Sequence, residues 1–276
     1  MTRNPLGWLG IYCLLAVAVT WAAFPIAFMV SGSFKPPNLI WSYPPTLVAL
    51  PTTTNYEAIS RLFPSFWRHL CNSVVVTLTT TVITMVMALG AAFVFSRLRS
   101  GWLRFPAFLM ILVRMFPPII IIIPLFPVFN ALGWLDTLTP LVMAGVAFAI
   151  SIATLLLKTF VDDVPVELEE AAMIDGASRL GAFVRITVPL VMPAVAAIAL
   201  VVAIGTWNEF LFPLVFTSSA ARTAPVTIAI AIDNEDGVAW GAVMAMASAH
   251  LAPALVLVLL LHRQLMRVMT GGAVKG

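Results

Sequence analysis

Six apolar runs alternate with polar connections along the chain: roughly Trp8 to Val30, Asn72 to Phe95, Pro106 to Phe129, Leu138 to Phe160, Leu190 to Phe216 and Ala242 to Leu261. Each is near the ~20 residues that a helix needs to cross bilayer hydrocarbon. The pattern predicts an all-α integral membrane protein of six transmembrane helices, built as one domain over residues 1–276. Arg3 ahead of the first run and Ala16-Val17-Ala18 within it imitate a secretory signal. That run is longer than the about 7 to 15 residues of a signal core, so an uncleaved span is expected.

One polar stretch, Asp162 to Pro193, interrupts the apolar rhythm and holds half of the acidic residues. Pro165 suits a first helical turn, because its ring pre-sets φ and its missing N–H would be unpaired there. Glu167, Glu169 and Glu170 follow, where the helix dipole favours negative charge. Leu168, Ala171, Ala172 and Asp175 recur at helical spacing and give the short helix a narrow face of small side chains. Gly176 supplies a stop, since glycine alone enters φ > 0 without steric cost. Ser178 can cap a second short helix carrying Leu180, Phe183 and Val184 on one face. Pro189 and Pro193 close the stretch. From the residues alone this is a solvated amphipathic hairpin between the fourth and fifth spans.

Composition strengthens the membrane reading: 61% of residues are hydrophobic and 10% charged, against roughly 45–50% and 25% in soluble domains. The net charge of +3 has no basic cluster behind it, so no nucleic-acid partner is expected. It follows membrane orientation instead. With the N-terminus inside, the inner set is Arg3, Arg97, Arg99, Arg104, Lys158, Arg179, Arg185, Arg263, Arg267 and Lys275, and the outer set only Lys35, Arg61, Arg68 and Arg222. Ten against four places both termini and the hairpin in the cytoplasm. Cys13 and Cys71 then fall at opposite bilayer faces, about 30 Å apart, beyond the reach of a disulfide.

Two spans carry candidate chemistry. The third holds Arg114 and then Pro117, Pro118, Pro124 and Pro127, which tend to bend or break a helix. Such breaks persist in a bilayer where protein or a water-filled cavity satisfies the freed carbonyls, so a broken helix lining a path is expected. Arg114 can snorkel inward or pair inside the bundle, and snorkelling is the simpler expectation. The fifth contains Trp207-Asn208-Glu209-Phe210, where Glu209 is an acid at membrane depth. That position makes it a path or gate residue, able to bond solute hydroxyls, or a packing residue. His250 has no second histidine at i+3 or i+4, so a packing role is expected and no metal site. Asp233 to Gly237 reads as a solvated turn.

Glu170-Ala171-Ala172, Asp175-Gly176-Ala177, Phe183, Ile186, Pro189 and Pro193 resemble, in that order, the EAA loop of ABC-importer permeases. The resemblance implies a type I ABC importer permease fold whose hairpin docks into a cleft of a separate ATPase. It makes Glu170, Ala171, Ala172, Asp175, Gly176, Ala177, Phe183, Ile186 and Pro189 the ATPase-coupling residues. Asn72-Ser73, Ala91-Ala92-Phe93 with Ser96-Arg97, Thr137 with Pro140, Trp207 to Phe210 followed by Pro213, and the tail Gly271 to Gly276 are similar to the maltose-type carbohydrate branch. As a plain physical feature, Arg97 also serves as a positive-inside anchor.

That branch implies a bacterial inner-membrane importer of a disaccharide or small oligosaccharide such as maltose or trehalose. Its partners would be a second, related permease, an ATPase dimer carrying ATP and Mg, and an external sugar-binding protein that the segment Ser31 to Leu70 can help receive. Trp207, Asn208, Glu209 and Phe210 become path or gate residues, and Gly272, Ala273, Val274 and Lys275 a tail reaching towards the ATPases. The alternatives are a permease for another solute such as glycerol phosphate, an ion-coupled carrier using Glu209, and a membrane scaffold. No Gly-x-x-x-x-Gly-Lys-Ser/Thr loop occurs, so neither catalysis nor a cofactor is expected in this chain.

Overall fold

The structure, a computed structural model, describes residues 5–44, 46, 49–98, 100–233 and 237–273. Arg99, Asn234, Glu235, Asp236, Val274 and Lys275 lie outside the described residues. The regular elements among those described are helical: α1 (Pro5–Ser33), α2 (Thr54–Leu62), α3 (Phe66–Arg97), α4 (Arg104–Met115), α5 (Pro118–Ala131), α6 (Thr139–Asp162), α7 (Val166–Ile174), α8 (Arg179–Ala182), α9 (Val188–Trp207), α10 (Leu211–Phe216), α11 (Ala224–Ile232) and α12 (Trp240–Ala273). Five stretches are long and apolar enough to cross a membrane, or six if the bent pair α4 and α5 is one span.

The breaks follow local chemistry. A residue before proline is pushed out of the α region, and Phe116 ahead of Pro117-Pro118 is extended, which ends α4 and lets Pro118 open α5. Pro124 and Pro127, expected to break the helix as well, sit inside α5. The fifth apolar run, expected as one span, stops at Trp207. The Asn208 amide turns back to the Ile204 carbonyl at 2.9 Å, and Glu209 Oε1 accepts from the backbone N–H of Leu211 at 2.8 Å and of Phe212 at 3.3 Å. Side chains that bond nearby backbone groups compete with helix continuation.

The chain divides into two compact units, residues 1–67 with 227–252, and residues 68–226 with 253–276. In the first, the buried Asn55 closes the end of α1: its Nδ2 donates to the carbonyls of Gly32, Ser33 and Lys35 at 3.4, 2.9 and 2.7 Å. These include carbonyls that a helix C-terminus leaves unpaired. A Cβ on Gly241 would stand 2.2 Å from Asn55 Oδ1, so only glycine lets the start of α12 pack here. In the second unit α3, α6 and α9 meet through small residues, with Ala88, Ala92 and Ala153 fully buried around Leu157 and Val161. Such residues let backbones approach closely where lipid offers no hydrophobic drive for helix pairing.

Asp136 ties the second unit together away from the hairpin. It stands at φ 56 in the turn before α6, a region that Asp tolerates better than most residues. Its carboxylate accepts from the N–H groups of Ser218, Ser219, Ala220 and Ala221 and from the Ser219 hydroxyl, at 2.9 to 3.1 Å. Asn72 Nδ2 donates to the carbonyls of Ala220 and Arg222 in the same loop, and Ser73 Oγ accepts from Ala224 N at the start of α11. Asn72 and Ser73, which open the second apolar run, thus lie in the interior of the longer α3 and anchor this loop. Burial raises the Asp136 carboxyl, but the donors from Ala220, Ala221 and Ser219 outweigh it and hold the group well below the usual carboxylate range.

A carboxyl depressed in the folded state stabilises the fold above its unfolded pKa, about 3.9, and loses that contribution as pH falls towards its folded value. Asp136→Asn is therefore expected to lower Tm at pH 7, with the gap to wild type closing below about pH 4. A gap equal at both pH values contradicts the clamp. Asn55→Leu, which removes the side-chain donor to the buried carbonyls of Ser33 and Lys35, is expected to cost about 1–3 kcal/mol and lower Tm; an unchanged Tm contradicts that role.

Candidate functional site

The hairpin between α6 and α9 is built as its residues dictate. Pro165 precedes α7, Glu167 and Glu169 sit in its first turn, and Asp175 caps its end. Gly176 turns the chain at φ +92, its N–H reaching the Met173 carbonyl at 3.1 Å while Ala177 N–H reaches that of Ala172 at 2.9 Å. Ser178 Oγ accepts from Gly181 N at 3.1 Å and caps α8. The expected second short helix does not end there. A π-helical turn, Phe183–Thr187, carries α8 directly into α9, with Pro189 in the first turn of α9 and Pro193 inside it. Neither proline closes the stretch: Pro189 follows directly on the π turn, and the helix runs on through Pro193 to Trp207.

Two faces of the hairpin differ sharply. Glu170, Ala171, Asp175, Gly176 and Pro189 are exposed, and Ala172, Ala177, Phe183 and Ile186 half-buried. Beside them stand the exposed apolar side chains of Leu168, Leu180 and Val184, and Ile174 at 87%. Apolar side chains gathered on a polar, charged element have the character of an interaction surface.

The opposite face holds a buried ion pair that sequence reasoning missed. Glu169, 5% exposed, accepts from Arg97 Nε at 3.0 and 3.1 Å, from Arg97 Nη2 at 2.9 Å and from Thr187 Oγ1 at 2.6 Å. Arg97 Nη2 also donates to the Val164 carbonyl at 2.8 Å, and Nη1 to Ser96 Oγ at 2.9 Å. Phe93 of α3 packs against Phe183 nearby, ring centroids 4.5 Å apart. Arg97 is thus a structural partner of the hairpin besides an end-of-span charge. One signal was available: Glu169 and Glu170 are adjacent and point about 100° apart on a helix, so a helix that packs on one side can bury one of them and expose the other.

Within the second unit a cavity of about 320 Å³ lies among α3, the α4–α5 break, α6, α9 and α10. Its walls include Val76, Pro118, Gly145, Phe148, Gly205, Thr206 and Phe212, with Arg114 and Glu209 as the charged members. The proline-broken third run therefore does border a cavity. Arg114 reaches across to α6, donating to the Phe148 carbonyl at 3.1 Å, in place of the expected snorkelling towards the membrane surface. Of the four path residues read from the sequence, Glu209 lines the cavity, Trp207 is buried, Asn208 bonds its own helix, and Phe210 is half-exposed. The lining aromatics are Phe148 and Phe212, 5.2 Å apart. Gly272 and Ala273 end α12. Among the described residues no cluster of His, Cys, Asp or Glu could hold a metal ion.

The family described as binding-protein-dependent transport system inner membrane component matches residues 82–270, more than half of the chain. The inner membrane ABC transporter permease protein YcjP of Escherichia coli is 32% identical over 99% of both chains. The trehalose/maltose transport system permease protein MalG of Thermococcus litoralis is 35% identical, covering 92% of this chain and 91% of its own. The trehalose transport system permease protein SugB of Mycobacterium tuberculosis is 35% identical, covering 94% and 95%. A bacterial ABC transporter that imports alginate superposes with a TM-score of 0.77 over 95% of this chain and 98% of its own, at 21% identity, which shows the shared fold. The chain belongs to the inner-membrane permease components of binding-protein-dependent ABC transporters.

Proposed function

We propose that this chain is one permease subunit of an ATP-driven sugar importer, taking a disaccharide or small oligosaccharide such as maltose or trehalose. The observation that carries the reading is the open hairpin face, where Glu170 and Asp175 stand beside exposed Leu168, Ile174 and Leu180. A separate ATPase dimer, which holds ATP and Mg, covers that face. The Lys and Arg distribution supports a cytoplasmic hairpin and cytoplasmic termini, the side on which ATP is available. The names of relatives support a carbohydrate, since they transport trehalose, maltose or diacetylchitobiose.

The importer is completed by a related but different permease and an external sugar-binding protein. Closure of the ATPase dimer displaces the hairpin, α6 and α9 follow it, and the cavity carrying Arg114 and Glu209 changes its access. A partner shifts such an equilibrium only through different affinities for the two states. Glu209 and Arg114 offer hydrogen bonds to sugar hydroxyls, with Phe148 and Phe212 as apolar walls.

Affinity purification in mild detergent is expected to recover an ATPase with the wild-type chain. Replacing Gly176 by Val forces a β-branched side chain to φ > 0, and together with Glu170→Ala it is expected to release the ATPase and abolish uptake; full uptake sinks the reading. Glu209→Gln is expected to keep the ATPase bound while cutting sugar uptake at least several-fold, and unchanged uptake removes Glu209 from the path.

A further inference from the structure

The hairpin has two routes into the bundle, and only one runs along the backbone. α9 continues from the π-helical turn Phe183–Thr187 to the cavity, where Val201, Val202, Gly205 and Thr206 form part of the wall. α3 reaches the same cavity at Val76. It is an unbroken helix from Phe66 to Arg97, so Arg97 lies about 30 Å along the rod from Val76 at 1.5 Å per residue. At that far end Arg97 grips four segments through side-chain bonds: its own helix at Ser96, the α6–α7 turn at Val164, α7 at Glu169 and, through Glu169, the π turn at Thr187.

Buried ion pairs often add little net stability, because desolvation offsets their attraction, and apolar residues of similar volume can pack as well. What such a pair supplies is a fixed geometry. A fork of guanidinium donors against a carboxylate fixes distance and angle together, whereas apolar surfaces can slide. The π turn adds a second consideration, since an extra residue per turn is rare and occurs mostly at functional sites. Thr187, its last residue, is fully buried with its hydroxyl on Glu169. Glu169 thus points away from the face bearing Glu170 and Asp175: the outward face meets a partner and the inward face grips α3.

Resting on the importer reading, we propose that Arg97 is a positioning residue for coupling. With Glu169 and Thr187 it makes α7, the π turn and the end of α3 move as one body, so that a push on the hairpin reaches the cavity wall through α3 as well as α9. Loss of the latch leaves the docking face intact, and ATP hydrolysis then runs with little solute movement.

The test uses the assembled complex in proteoliposomes, with ATP inside, binding protein and labelled sugar outside, and both ATP hydrolysis and uptake measured. Three variants are compared: Thr187→Val, which keeps the shape and removes one hydrogen bond; Glu169→Gln; and the double variant Arg97→Met with Glu169→Met, which restores an apolar fit without the ion pair. The expected result is an ATPase recovered with each variant and a fall of roughly tenfold in sugar moved per ATP for Glu169→Gln and the double variant, within the usual range of allosteric coupling. A smaller fall is expected for Thr187→Val. A wild-type ratio in the double variant overturns the proposal, because packing alone then suffices. Loss of the ATPase from all three also overturns it, reducing the pair to a folding requirement. If the wild-type chain itself brings down no ATPase, the importer reading fails first, a result distinct from either.

Discussion

A charge cannot be left alone inside a protein. Arg97 and Glu169 meet that constraint together, and the hairpin depends on their doing so. Removing one partner of a buried pair typically costs about 3–5 kcal/mol, because the other is stranded. The pair lies on the inward face of α7, while Glu170, Asp175 and the apolar side chains around them are exposed on the other. Thr187 brings the start of α9 under the same constraint.

The constraint recurs with different chemistry elsewhere. Asp136 gathers the N–H groups of the loop from Ser218 to Ala221, while Asn72 takes carbonyls in the same loop. Asn55 closes the end of α1. In each place a polar side chain gathers backbone groups that would otherwise go unpaired, the requirement that governs structure near and within a bilayer. The breaks at Pro117 and after Trp207 are the exceptions, and both border the cavity. There Glu209 accepts from N–H groups at the start of α10, and Arg114 joins the broken span to the Phe148 carbonyl of α6, so the two charges that face the cavity also hold its wall.

Much of the fold was legible because its signals are local. Apolar runs give spans, Gly176 gives the elbow at φ +92, and Ser178 gives the cap. The exposure of Ala171 and Asp175 was legible for the same reason, from their helical spacing. The pairing of Arg97 with Glu169 was not, since the two lie 72 residues apart and each has an adequate local explanation, one as an end-of-span cation and the other as a first-turn acid. Asp136 escaped for a related reason: its partners lie 82 to 85 residues on and are backbone groups with no residue signature. The π turn was missed because a cap followed by prolines reads as a short helix and a stop. In the structure, Pro189 occupies a position where it stops nothing.

The proposed function requires that an ATPase bound to this chain drives solute movement. The most direct measurement is uptake of labelled trehalose and maltose into proteoliposomes holding the purified complex, with the binding protein outside, with and without internal ATP, and with a protonophore present. Uptake that requires ATP and the binding protein and ignores the protonophore is the predicted result. Uptake that proceeds without ATP and collapses with the protonophore contradicts it and makes Glu209 the centre of an ion-coupled carrier.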